Sequence, residues 1–464
     1  MKLSKQKKEI NIIEKDFSII SEYFQNRLGF YWWFLNITRL DLALWGLPQK
    51  NNLKNSLYNF LRLFLSLIMI FFFRTKKPNF GKSYIFLFED FILSKELKYK
   101  EDYYFKKIRN FFPLSKNIVL GFKIYQDKKN YSIYQLNTKK DIFIIFLKSL
   151  YLYIKYLVSK DQIFQKTKKY EFWNNYHRKN NFINFYLCNL TYNFFSKNIK
   201  IGKKIIYPYE EKPYERALNS VLDNGFKKKI FAYQVNPKDN LGLYMKKFKN
   251  LNIPRPKNYL FPGIECAKIF LKNGRSNSID INRSIIGTSK SKNILPNLKK
   301  AYDFLILISH PKEYYLIIDW LSKFKDSEKF KFLIRFYPAA NLKLFDLIKK
   351  KNFFYSKNIL SRDCQLSKFA IFGNTSAGIE AVNNGLISMW VDLTSMNLSP
   401  LSENQKKYFF HSYNFKDFCE NINKISKYTK KEFIKKQKKQ FMISKNIYSN
   451  INTKNINYIL KKNN

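Results

Sequence analysis

Residues Phe369 to Asp392 read FAIFGNTSAGIEAVNNGLISMWVD. Phe369 to Phe372 is a short continuous apolar run, as expected for a strand buried on both faces of a parallel sheet. It passes through Gly373-Asn374-Thr375-Ser376-Ala377-Gly378 straight into a helix predicted over Gly378 to Asn384. Gly385 supplies the C-terminal cap, and Ile387 to Asp392 is a second buried strand. Strand, short turn, helix, short turn, strand is the building unit of an open parallel α/β sheet. Three of the chain's thirteen glycines fall in this stretch. In the turn, backbone N–H groups and two hydroxyls converge where the helix dipole is positive, so Gly373, Asn374, Thr375 and Ser376 form a candidate phosphate seat. The competing reading is an ordinary turn with Ser or Thr as N-cap. No GK[ST] follows and no GxGxxG is present, which excludes Walker A and dinucleotide fingerprints. Glu380, one turn into the helix, either reaches a ribose diol or complements the helix start.

The same alternation extends on both sides. Asp303–Ser309, Lys331–Tyr337, Phe369–Phe372 and Ile387–Asp392 read as strands, and Glu313–Phe324, Leu342–Lys350 and Gly378–Asn384 as helices. This predicts a doubly wound sheet whose ligands bind at the carboxyl ends of the strands. At that edge Arg335, closing LIRFYP, is placed to grip a phosphate bidentately or to serve as a surface charge. Upstream, Ser83–Phe91, Asn117–Tyr125, Lys228–Val235 and Lys257–Gly263 are strand candidates, and Asp141–Lys160, Phe185–Phe195 and Glu215–Leu222 are helical, the last preceded by a turn at Pro213. The division expected is a helical N-terminal extension (1–80), a first domain of Rossmann type (81–290), a second of the same type (291–400) and C-terminal helices with a basic tail (401–464). His411 is assigned to those helices, and His310 to a strand end before Pro311.

Composition narrows the partners. The 464 residues are 45% hydrophobic, enough for sizeable cores, and 85 Lys plus Arg against 34 Asp plus Glu give a formal charge of +51. Abundant Lys, Asn, Ile, Phe and Tyr with only 13 Gly and 13 Pro is the signature of A/T-rich coding, which raises lysine everywhere. No arginine-rich arm, zinc-finger spacing or aromatic ribonucleoprotein motif accompanies the charge, so no nucleic-acid partner is assigned. Cys188, Cys266, Cys364 and Cys419 are scattered without CxxC spacing, which signals neither a disulfide framework nor a zinc site and fits a reducing cytoplasm. The charged N-terminus lacks the apolar stretch of a secretory signal.

Leu57 to Phe73 is amphipathic: Asn55, Asn59, Arg62 and Ser66 form one helical stripe amid apolar residues. Its apolar run, Leu63–Phe73, reaches only about 16 Å at ~1.5 Å per residue, half of a ~30 Å hydrocarbon core. A core-packed helix is the first reading, with peripheral attachment to an anionic inner-membrane surface as the alternative.

The strand, the pattern G-x-[ST]-[ST]-x-G-x-E-A, a glycine and a strand ending in Asp together resemble the donor-binding half of GT-B glycosyltransferases. The likeness is greatest to bacterial surface-carbohydrate (O-antigen or capsule) biosynthesis proteins and their relatives, the CDP-polyol phosphotransferases and bacterial sialyltransferases. The resemblance implies two Rossmann-type domains facing a cleft. It implies a nucleotide-activated sugar as substrate and a saccharide or lipid-linked acceptor, with no cofactor and no metal; the alternatives are a polyol-phosphate transferase using a CDP-linked donor and a non-catalytic nucleotide- or saccharide-binding protein on the same scaffold. It assigns donor phosphates to Asn374, Thr375 and Ser376, and the family's basic-plus-HP element to Arg335, Tyr337 and Pro338, with Tyr337 in place of the usual His. Tyr209 to Leu218 (YEEKPYERAL) and Phe231-Ala-Tyr-Gln234 resemble that group's E-x-x-P-[WY]-E helix and Y-Q-H strand, which places Gln234 at the acceptor and Val235 where His is usual. Glu210, Glu211 and Glu215, three acids within six residues of a strongly basic chain, are the candidates for the base that takes the acceptor's proton, and the resemblance prefers Glu210 and Glu215.

Overall fold

The computed structural model describes residues 2–29, 31, 64, 65, 68, 70–72, 84–88, 108, 111, 117–121, 131–169, 173, 182–198, 204–209, 213–221, 230–234, 254, 256–272, 280–288, 300–309, 311–337, 346–373, 375–392, 401 and 403–461. They form two six-stranded sheets in which every described pairing is parallel.

The first sheet contains β1 (Tyr84–Phe88), β2 (Asn117–Gly121), β3 (Tyr131–Ser132), β4 (Lys204–Tyr209), β5 (Ile230–Gln234) and β6 (Asn258–Leu260), in the order β3-β2-β1-β4-β5-β6. The second contains β7 (Tyr302–Ile308), β8 (Phe332–Phe336), β9 (Phe353–Tyr355), β10 (Ser367–Phe372), β11 (Ile387–Val391) and β12 (Phe410–Ser412), ordered β12-β11-β10-β7-β8-β9. Counted from its own first strand, each sheet therefore runs 3-2-1-4-5-6, the Rossmann order. The α/β class and the two doubly wound sheets are as the sequence predicts.

Strand alternation distributes the cores. In the second sheet Phe304, Ile306, Ile308, Phe332, Ile334, Phe369, Ile371, Ile387, Met389 and Val391 fill one face. Leu305, Leu307, Leu333, Ala370, Phe372 and Trp390 fill the other. Both sets are buried, which is why these strands read as continuous apolar runs rather than alternating ones.

The helices are α1 (Lys2–Leu28), α2 (Lys139–Gln165), α3 (Phe182–Asn198), α4 (Pro213–Ser220), α5 (Ile264–Lys272), α6 (Ile281–Ser284), α7 (Pro311–Lys323), α8 (Leu360–Leu366), α9 (Ala377–Asn383), α10 (Glu403–Lys406), α11 (Phe415–Ser426), α12 (Lys430–Ile447) and α13 (Thr453–Lys461). Phe17, Ile20, Phe24 and Leu28 of α1 pack with Tyr156, Ile163, Phe164, Phe185 and Cys188 of α2 and α3. The buried Asp16 carboxylate accepts from the Lys168 and Lys169 amides at 3.0 and 2.9 Å, so the N-terminal extension is docked on the first lobe.

Several expectations change. Leu342–Lys350 is not a helix where it is described: 346–350 is irregular, and two tyrosines take the groups of Ile348 that a helix would use. The Ile348 amide donates to Tyr314 Oη at 2.9 Å, and Tyr355 Oη donates to the Ile348 carbonyl at 2.9 Å. His411 lies in strand β12, not in a helix, because Phe410 and Ser412 turn inward beside β11 while His411 is half-buried. β4, six consecutive buried residues at the centre of the first sheet, was not among the strand candidates and contains Pro208. The C-terminal unit 401–464 is not separate. Through most of α12 it packs on the second lobe, where Gln440 brackets Ser388 with two 2.8 Å bonds to its amide and carbonyl, while the last residue of the helix already meets the first, its Ile447 carbonyl accepting from Cys266 Sγ. From Ser449 onward it belongs to the first: the Ser449 amide donates to the Pro262 carbonyl at 2.8 Å, and Ile456 and Ile459 of α13 cover Ile206, Phe231, Tyr233 and Leu260.

Candidate functional site

In an open α/β sheet the ligand crevice opens where strand order reverses, outside the carboxyl ends of the two central strands. Here that reversal falls between β1 and β4 in the first sheet and between β7 and β10 in the second. The sequence candidates sit at these places. Gly373 to Ser376 follow β10 directly; Arg335 and Tyr337 end β8, the neighbour of β7. Glu210 is the residue after β4, and Gln234, nine-tenths or more buried, is the last of β5, in register with Tyr209. Glu210 and Asn374 themselves lie outside the described residues, as do Glu211, Val235, His310 and Pro338.

The turn after β10 is built partly as expected. Ser376 is the N-cap of α9 but has helical angles, φ −71° and ψ −12°, and its side chain makes no capping bond. Thr375 does the capping: its Oγ1 accepts from the Ala377 amide at 3.2 Å. The amides of Ile379 and Glu380 donate to the Ser376 carbonyl. The seat is thereby narrowed, with Thr375 satisfying the turn from within and the half-buried Ser376 hydroxyl left outside the cap. Gly378 serves packing: a Cβ there would fall on the Phe372 ring. Gly385 is the C-cap read from sequence, at φ +92°, with the Leu386 amide donating to the Ala381 carbonyl and the Gly385 amide to Val382 in a Schellman arrangement.

Arg335 corrects the sequence reading. Its Nη1 donates to Asp363 Oδ2 at 3.0 Å and to the Asn358 carbonyl, and the side chains of Arg335 and Asp363 are 13% and 0% exposed. Ser356 Oγ, at 2.7 Å, and Asn358 Nδ2, at 3.2 Å, complete the shell of the Asp363 carboxylate. The guanidinium is thus part of a buried structural network joining β8 to α8. Asp363 was missed because no motif links residues 28 positions apart. Burial pushes the neighbouring Cys364 thiol far up; Asp363 and Glu380 push it the same way, while Arg335 and Lys300 pull it back. Glu380 is therefore electrostatically part of this α8–α9 contact. Tyr337 is 42% exposed, and its amide donates to the Ile308 carbonyl at 2.7 Å, holding the open end of β8 to β7.

Glu215 is also corrected. It lies in the first turn of α4 and is 1% exposed, so its carboxylate has no open face from which to take a proton from an acceptor. Beside it in α4, Asn219 bonds the Glu215 carbonyl at 2.8 Å and Tyr207 Oη at 2.9 Å, which ties the helix to β4. Among the described residues no group of three or more His, Cys, Asp or Glu side chains is gathered to hold a metal ion. The four cysteines are free, three of them buried.

No family model matches the chain, and no curated protein matches its sequence. Among solved structures, the chain is similar to the glycosyltransferase SnogD from Streptomyces nogalater, with 8% identity, 82% of this chain and 98% of that one covered, and a TM-score of 0.42. It is similar to a glycosyltransferase from Rickettsia africae, with 14% identity, coverage of 82% and 99%, and a TM-score of 0.41. A third likeness is to the N-terminal domain of Candida albicans trehalose-6-phosphate phosphatase, with 9% identity, coverage of 83% and 97%, and a TM-score of 0.43.

Proposed function

We propose that the chain is a glycosyltransferase of bacterial surface-polysaccharide assembly. It moves a sugar from a nucleotide-activated donor, held at the β10 turn, to a saccharide or lipid-linked acceptor at the carboxyl edge of the first sheet. The observation that carries the reading is the coincidence of motif and topology. Strand order reverses beside β10 and β4, and the Ser/Thr-rich turn and Glu210 each follow one of these strands directly.

The chemistry assigned to each part is simple. The Ser376 hydroxyl and the turn backbone bind the donor phosphates, and binding across two lobes excludes the water that would hydrolyse the donor. With Glu215 buried, Glu210 is the carboxylate assigned to the acceptor's proton. No metal is invoked. The burial of Glu215, together with Tyr337 and Val235 at positions where the resembling family has His, favours one second reading: a non-catalytic nucleotide- or saccharide-binding protein on the same scaffold.

Calorimetric titration with UDP-, CMP-, CDP- and GDP-sugars tests both readings. One nucleotide class binds, and Ser376→Ala weakens it by about tenfold, the value of one hydrogen bond to a charged group. Absence of binding across the panel overturns the first reading and favours the second, as a saccharide-binding scaffold. Binding without sugar release or transfer to any added saccharide leaves the second reading in place of the first.

A further inference from the structure

Helix α2 carries an apolar face that is exposed among the described residues. Phe143, Ile144, Leu147, Leu150, Tyr151, Ile154 and Val158 are 38–64% exposed. At ~100° per residue these positions fall within an arc of about 120°, and from Phe143 to Val158 they extend about 22 Å along the helix. The opposite face is committed: Ile142, Ile145, Tyr156, Ile163 and Phe164 are buried against α1, α3 and their neighbours. Beside the helix, Ile70 is buried with Ile142 and Ile145, while Phe64, Leu65 and Phe72 of the same segment are 54–67% exposed. The exposed apolar side chains of Phe64, Leu65 and Phe72 thus add to those of α2.

Along the arc from Phe143 to Val158 the charges are of one sign, and the exposed Asp161 stands just beyond its C-terminal end, beside Lys160. From Phe143 to Val158 the sequence contains no acid, only Lys148 and Lys155, and both fall along one margin of the arc. Lys139 and Lys140 precede it at the N-terminal end. Lys148 Nζ bonds Tyr31 Oη at 2.5 Å and lies 4.5 Å from the centre of its ring, so an aromatic residue with a polar tip also borders the face.

We propose that this face of α2, with Phe64, Leu65 and Phe72, is a docking surface for an anionic lipid bilayer. The helix lies in the plane of the interface, its apolar arc among the acyl chains and its lysines at the headgroups. By length and composition α2 also passes as a membrane-crossing helix. Its packed inner face fixes it to the lobe, so it lies on the membrane rather than through it. The inference goes beyond the catalytic reading and stands without it.

Co-sedimentation of the full chain with phosphatidylglycerol–phosphatidylcholine vesicles, and with phosphatidylcholine alone, is the test. The chain partitions onto the anionic vesicles, more weakly as salt is raised, and sediments less with the neutral ones. The combined variant Phe143→Ser, Leu147→Ser, Ile154→Ser changes only exposed positions, keeps the circular dichroism spectrum and melting temperature of the parent, and loses roughly tenfold or more of its partition. Lys140→Gln with Lys155→Gln abolishes the preference for anionic vesicles. Failure of the parent to sediment with anionic vesicles overturns the proposal, as does a serine variant that sediments like the parent. A parent that is dimeric by ultracentrifugation and ignores vesicles, with a monomeric serine variant, also overturns it and gives the face to a second copy of the chain.

Discussion

Gly378 has no room for a side chain, because α9 lies directly on the Phe372 ring at the core of the second sheet. Gly378→Ala forces that ring or the helix to shift in a packed interior, at a cost of about 1–3 kcal/mol, which chemical denaturation reads as a lower midpoint at unchanged slope. The cost appears without any nucleotide, since the glycine serves packing and not ligand approach. Arg335 is a second case of structure underneath an expected ligand contact. Arg335→Ala leaves the fully buried Asp363 without its cation, for which about 3–5 kcal/mol is the usual loss. A parallel measurement of melting temperature and nucleotide affinity shows the stability loss first, and Asp363→Asn on the Ala background recovers part of it. The candidate site was legible as positions: Gly373 to Ser376, Gln234 and Tyr337 all lie at carboxyl strand ends, as the motifs imply. Partners were not legible. Arg335 meets Asp363, and Thr375 caps Ala377, through contacts that depend on how α8 and α9 settle on the sheet, and no spacing rule carries that information.

Helix starts show which local signals fix an element. Thr429 and Glu432 form a reciprocal capping box at α12, and Asn414 caps α11 by accepting from the Asp417 amide at 2.9 Å; both signals stand in the sequence. At α2, Thr138 accepts from the Asp141 amide at 3.1 Å, and Lys197 of α3 meets the Asp141 carboxylate at 2.5 Å. Burial works to raise the Asp141 pKa, but the bonds from Lys197 and Thr138 outweigh it and hold it below the ordinary 3.8. The stabilisation is therefore complete above pH 3.8 and is lost as pH falls through the lower folded value. Asp141→Asn costs about 1 kcal/mol near neutrality, and denaturation curves of the two proteins converge as the pH falls through that lowered value. Long elements such as α2 and the central strands of the second sheet were readable because burial repeats along them. β12, three residues long, and the tyrosine-pinned stretch 346–350 were not, since in each the deciding contact comes from a distant part of the chain.

At the scale of the molecule, the chain closes by returning to where it began. After α12 is fastened to the second lobe through Gln440 and by the 2.6 Å bond from Ser444 Oγ to Asn383 Oδ1, the segment from Ser449 crosses to the first. There Ser449 bonds Pro262 and accepts from the Thr288 amide at 3.0 Å, and the Asn452 amide donates to the Ile286 carbonyl at 3.0 Å. Asn455 Nδ2 donates to the carbonyls of Asn282 and Ile285, each at 2.6 Å, and Lys204 reaches the Ile459 carbonyl. Ile456 and Ile459, 1% and 4% exposed, add roughly 1.5–3 kcal/mol each by burial. With the bonds, α13 and its approach contribute on the order of 5 kcal/mol to a lobe whose whole stability is of the order of 5–15 kcal/mol. None of those groups touches the second sheet's core, in which Phe304, Ile371 and Met389 are packed by elements that end with α12. Ending the chain at Tyr448 therefore weakens one lobe and spares the other. Calorimetry of the shortened chain resolves a first-lobe transition lowered by about 15 °C, at ~2–4 °C per kcal/mol for a unit of that size, below a second-lobe transition at its original temperature. A single transition displaced as a whole would mean instead that the lobes unfold as one body, with the crossing segment incidental to either.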